Sequence, residues 1–137
     1  MSEQLQIGPG TKLRVLAHSD EVLELEATYA GGGAPPPEHL HPSQDEQFEV
    51  LRGAMQTRVG GQSRMFVAGE LLDVPRGTIH QMWNAGEDEA VVNWRTMPAG
   101  RTLSWFRELE ALLRGENPTD AATLLSHYSD VFVLATS

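Results

Sequence analysis

Two histidines one residue apart, His39 and His41, precede Glu46 in the stretch GGGAPPPEHLHPSQDEQFEVLRG. On a strand, residues two apart point to the same face, so both imidazoles can be presented to one point. Surface position, core packing and metal coordination are the candidate readings, and an H-x-H pair alone does not choose among them. A second stretch, GELLDVPRGTIHQMWN, runs through a tight turn at Pro75 and Gly77 and then places His80 at the head of the next apolar run. If two sheets face each other, His80 can meet His39, His41 and Glu46 inside a barrel.

The elements that must carry these residues are short strands. In EVLELEATY, Leu23, Leu25, Ala27 and Tyr29 share one face and Glu24, Glu26 and Thr28 the other, the period-two mark of a half-buried strand. GGGAPPPE then interrupts as a loop, because glycine is permissive and proline cannot donate to a ladder. Beyond it, EQFEVLRG, AMQTRVG, QSRMFVA, ELLDVP, TIHQMWN and AVVNWRTM read as strands, with Gly60-Gly61 as a hairpin turn. Many short strands at regular spacing predict an all-β sandwich or barrel. The tail differs. Leu103, Phe106, Leu109 and Leu113 recur at helical spacing, Gly115 is the expected stop, and NPTDAATLLSHY reads as a second short helix capped at Thr119 or a neighbour. Residues 1–98 are therefore expected to form the β-barrel, with 99–137 as a helical extension packed on it within the same domain. Covering barrel surface is the expected role of that extension, with a lid over the mouth as the alternative.

Composition limits the function classes. The chain has 137 residues, enough for one domain with a real core. Its net charge is −9, from 19 acidic and 10 basic side chains, which disfavours a nucleic-acid backbone or an anionic membrane surface as partner. No apolar run is long enough for a transmembrane helix, and the opening residues lack the pattern of a secretory signal, so a cytoplasmic address is expected. With no cysteine, any metal must be held by His, Asp or Glu.

The two stretches resemble the cupins. Gly33, His39, His41, Glu46 and Gly53 match the first motif of that family, G-x5-H-x-H-x4-E-x6-G. Gly69, Pro75, Gly77, His80 and Asn84 match the second, G-x5-P-x-G-x2-H-x3-N. All ten positions are filled, and three of the chain's five histidines fall on them. The resemblance covers roughly residues 20–97 and implies a double-stranded β-helix (jelly-roll) barrel followed here by two short α-helices. It also implies one divalent metal held by His39, His41, Glu46 and His80. Three imidazoles and one carboxylate suit Fe, Mn, Ni, Co or Zn, and four protein ligands leave positions open on an octahedral ion. A homodimer is the assembly the resemblance implies.

Strand parity extends the site. If Glu46 faces inward, Phe48 and Val50 do too, and Met82 accompanies His80, giving a partly apolar wall beside the metal. Ordinary core packing is the competing reading of these residues. On VVNWRTM either Val91, Asn93 and Arg95 face in, or Val92, Trp94 and Thr96 do; an inward Arg95 would hold a substrate carboxylate. Asn84, Gly53, Gly69 and Gly77 read as structural, and Trp83 and Trp105 as packing between barrel and tail. Three functions compete. The first is a dioxygenase acting on a chelating enolic or phenolic substrate, a preference carried by the family resemblance. The second is a non-redox isomerase, cyclase or lyase, for which Glu46, Tyr29 or a bound water would have to move the proton. The third is a barrel that binds a metabolite without turnover.

Overall fold

Alternating burial along β3 (Leu23–Tyr29) and β5 (Asp45–Arg52) shows why these segments are strands: Leu23, Leu25 and Ala27, and then Glu46, Phe48 and Val50, are buried between more exposed neighbours. The computed structural model describes residues 2–135. Its other strands are β1 (Gln4–Gln6), β2 (Thr11–His18), β4 (His39–Leu40), β6 (Ala54–Val59), β7 (Gln62–Val67), β8 (Leu71–Val74), β9 (His80–Trp83), β10 (Ala90–Met97) and β11 (Val133–Leu134). Two helices, α1 (Thr102–Leu113) and α2 (Ala121–His127), separate β10 from β11.

The strands form two antiparallel sheets, ordered β1-β2-β3-β10-β5-β8 and β11-β4-β9-β6-β7. The chain crosses repeatedly from one sheet to the other, and the result is the jelly-roll barrel expected from the sequence. Gly60 and Gly61 form the β6–β7 turn, both at positive φ, and Val59 pairs with Gln62 across it. Because the two sheets face each other, β4 and β9 lie opposite the inward row of β5. That opposition brings His41 and His80 to Glu46, with His39 beside the other two rings.

The core has two parts. Between the sheets, Phe48, Val50, Met55, Phe66, Val74, Ala90 and Val92 pack together. Beside them, Leu13, Leu23, Leu25 and Ala27 of the first sheet meet Leu103, Trp105 and Phe106 of α1, Leu124 of α2, and Tyr128 and Val131 beyond it. Each fully buried Leu contributes roughly 1.5–3 kcal/mol relative to exposure, so the helices share a core with the barrel. α1 is capped at its C-terminus by Arg114, followed by Gly115 at φ 72° with its N–H bonded to the Leu112 carbonyl. The α2 cap is Asp120, whose carboxylate accepts the Thr123 N–H at 2.7 Å. Thr119 lies one residue outside it.

Candidate metal centre

His39 and His80 are direct register partners on β4 and β9, so the two ring planes start from adjacent backbone. His41 follows β4 by one residue, and the Gly77 N–H donates to its carbonyl at 2.9 Å. The Pro75–Gly77 turn of the second stretch thus anchors the first. Gly77 meets that turn at φ 79°, a conformation that favours glycine. Glu46 comes from the facing sheet, between Thr96 of β10 and Val74 of β8.

One ring nitrogen from each of His39, His41 and His80 lies within 4.8 Å of the others. Nε2 of His41 and Nε2 of His80 each stand 3.0 Å from Oε1 of Glu46. These approaches lack the alignment of hydrogen bonds: His41 Nε2 and Glu46 Oε1 are both buried without a partner. Buried polar atoms are rarely left in that condition. Two donors bound at right angles to one ion at about 2.1 Å would themselves be about 3.0 Å apart, which matches the observed spacing. The donor set fits a divalent transition ion.

The far sides of the rings support the same reading. His39 Nδ1 lies 3.1 Å from the Pro37 carbonyl, His41 Nδ1 2.7 Å from that of Val131, and His80 Nδ1 2.9 Å from that of Thr78. A carbonyl only accepts, so each Nδ1 carries a proton, and Nε2 is the atom each ring has left to offer a ligand. Burial, with the neighbouring His80, brings His39 down to about 4, so it is neutral at pH 7. For His41 burial acts in the same sense, but Glu46 and the Val131 carbonyl outweigh it and raise its pKa. Burial alone would raise Glu46; His41 and His80 overcome it and bring the carboxyl to about 2, so it is ionised. Its second oxygen, Oε2, accepts the Trp94 indole N–H at 2.7 Å.

A cavity of about 590 Å³ opens from the histidines toward the helices. Tyr29, Phe48 and Met82 line it, together with Trp83, Trp94, Trp105 and Phe106. Trp83 and Trp105, expected only to pack barrel against tail, are therefore also wall residues. Two other expectations need correction. Val50 is not in the wall, because it packs in the core between the sheets with Met55, Phe66 and Val92. Arg95 points outward, with Nε on Glu24 at 2.9 Å. On β10 it is Val92 and Thr96 that are buried, and Trp94 that faces the cavity.

Sequence reasoning missed Trp94 and the chain beyond α2. VVNWRTM leaves Trp94 on one of two possible faces; pairing it with the parity of Glu46 requires the β5–β10 register, Trp94 opposite Phe48. Asn84 is structural, donating to the Tyr29 carbonyl at 3.1 Å and the Asp88 carbonyl at 2.7 Å. Gly33 lies against Asn84: its N–H bonds the Asn84 carbonyl, and a Cβ there would sit 3.1 Å from that oxygen.

Fold and site together define a β-barrel with a histidine-rich centre beside a largely apolar cavity. The Cupin domain family model matches residues 25–95, and the chain belongs to that family. It is 33% identical over 98 residues to germin-like protein subfamily T member 2 of Arabidopsis thaliana, covering 66% of this chain and 42% of that protein. Over 82 residues it is 34% identical to oxalate oxidase 1 of Hordeum vulgare, covering 53% and 40%. The chain thus spans less than half the length of these relatives. An RmlC-like cupin from Shewanella frigidimarina shares the fold at a TM-score of 0.66 and 22% identity, over 74% of this chain and 88% of that one.

Proposed function

We propose that the chain is a metal-dependent enzyme of the cupin type, a dioxygenase acting on a chelating enolic or phenolic substrate. His39, His41, Glu46 and His80 would hold the ion, drawn from Fe, Mn, Ni, Co or Zn. When bound, a redox-active ion supplies Lewis acidity and electron exchange with dioxygen. The observation that carries the reading is the convergence of donors whose outer atoms are already satisfied by carbonyls and an indole.

The chain's own residues then divide the work. The three imidazoles present their Nε2 atoms, and Glu46 supplies the single compensating charge. Trp94 keeps that carboxylate from swinging away. Tyr29, pushed up by burial and by Glu46, keeps its phenolic proton and can donate it to a substrate oxygen as a hydrogen bond. The aromatic and aliphatic wall excludes water around the substrate body.

Two features favour this substrate class. Among the described residues, no lysine or arginine lines the cavity, so a phosphorylated ligand would find no cation there. A volume of about 590 Å³ is also far more than a two-carbon dicarboxylate needs, so the oxalate named for the barley relative is not the preferred substrate. Non-redox isomerisation would need a base matched to neutral pH to move a proton between carbons. In this reading Glu46 is committed to the ion, which leaves Tyr29 or a bound water to do so. An enol or phenol has only to lose one acidic O–H. The test is oxygen uptake by the Fe-, Mn- or Ni-loaded protein on a panel of catechols, β-diketones and hydroxylated chromones. Substrate-dependent consumption is expected; its absence with every metal and every chelator would remove the dioxygenase reading.

A further inference from the structure

The chain beyond α2 reaches the histidines directly. Val131, 1% exposed, turns its carbonyl onto His41 Nδ1 at 2.7 Å. The Phe132 ring stacks on His39, with centroids 4.5 Å apart and planes 20° apart, and stands edge-on to His41 at 6.0 Å. On its other side it stacks on Trp105 at 5.2 Å. Val133 and Leu134 then pair with Leu40 and His39, and the Ala135 N–H donates to the Glu38 carbonyl at 2.9 Å.

This contact is more than cover. β4 has two residues, and it meets β9 at one register pair, His39 with His80. Most of the ladder that holds β4 is therefore the one β11 provides. The three outer carbonyls also differ in origin. Those on His39 and His80 come from two residues earlier in the chain, whereas the one on His41 comes from 90 residues later. The first two form with the local turn; the third exists only if the tail is docked. Its docking is well determined: Val131 and Phe132 N–H groups both bond the Tyr128 carbonyl, and Arg101 pairs with Asp130 and bonds the His127 carbonyl at 2.6 Å.

We propose that the segment Val131–Leu134 is a positioning part of the metal centre. Val131 sets the proton of His41 on Nδ1, which leaves Nε2 as the ligand atom, and Phe132 fixes the plane of the His39 ring. The inference rests on the metal-centre reading above. Outer partners of ligating histidines typically change metal affinity by about 10–100-fold when lost.

The test uses the full chain and zinc as probe, with affinity read by competition against a chromophoric chelator. One variant has a glycine inserted between Asp130 and Val131, which displaces the carbonyl; another is Phe132→Ala, with Phe132→Tyr as the conservative partner. About 10–100-fold weaker zinc binding is expected for the first two, and near-native binding for Phe132→Tyr, which keeps the stack. In the unsubstituted zinc-loaded chain, proton NMR should show the His41 ring N–H close to the Val131 α-proton and the Phe132 ring close to His39. That measurement decides the matter even if a variant fails to fold. Absent proximities, or native affinity in folded insertion and alanine variants, would overturn the proposal. If the unsubstituted chain binds no zinc, the metal-centre reading itself has failed.

Discussion

Glu46 uses its two carboxylate oxygens differently: Oε1 faces His41 and His80, and Oε2 accepts the Trp94 indole N–H. The second contact is the cheaper one to remove without disturbing the ligands. Trp94→Phe keeps a ring against Phe48 and Phe106 but leaves Oε2 without its donor. We expect zinc or manganese affinity to fall about 10-fold, with the circular dichroism spectrum unchanged; titration against a competing chelator measures it. Glu46→Gln removes the one anionic ligand and should weaken binding further than Trp94→Phe does. An order reversed between the two would mean that the indole, not the carboxylate, dominates. At this scale the sequence was informative about donors and poor about their supports. His39, His41, Glu46 and His80 could be chosen by spacing because two strand periods and a turn bring them together. The carbonyls of Pro37, Thr78 and Val131 carry no side-chain signature at all, and Trp94 became visible only through the β5–β10 register.

Strands with one buried face were legible because their side chains alternate, as in β3 and β5. β1, β4 and β11 have three residues or two, too few to show a period, and each exists because a neighbour supplies its ladder. The helices were legible through Leu103, Phe106 and Leu109, and the α2 cap is the neighbour of Thr119, Asp120, because its carboxylate is the one that reaches the Thr123 N–H. Glycines at turns make a sharper test of element geometry. Gly53 sits at φ 80°, and a Cβ there would lie 2.8 Å from the Glu89 carbonyl oxygen; Gly60 sits at φ 56° with open space around it. Gly53→Ala combines strain with a backbone clash and should lose about 1–3 kcal/mol, whereas Gly60→Ala should lose less. Thermal unfolding of the two variants side by side measures the difference, and equal losses would contradict the packing described between β5 and the segment before β10.

Across the whole molecule, metal and fold should be linked, because the proposed ligands come from β4 and the residue after it, from β5 and from β9, and only the folded chain assembles them. An ion at 100 times its dissociation constant stabilises by about 2.7 kcal/mol. Differential scanning calorimetry should therefore show a higher melting temperature with added zinc or manganese, reversed by chelator; a transition indifferent to both would break the link. Assembly is open to the same kind of test. Among the described residues, Met65 and Val67 of β7 and Leu71 of β8 are large apolar side chains left exposed at the free edges of the two sheets, a pattern that invites pairing with another chain. Sedimentation equilibrium is expected to give twice the chain mass, and Met65→Lys with Val67→Lys is expected to return the monomer.

The central claim is the metal centre, and the most direct measurement is elemental analysis of the protein purified without added metal, alongside His41→Ala and Glu46→Ala. Close to one transition ion per chain is predicted for the unsubstituted protein, with occupancy falling sharply in both variants while the β-sheet spectrum persists. A chain that stays metal-free after reconstitution with Fe, Mn, Ni, Co and Zn, or variants that keep full occupancy, would contradict it.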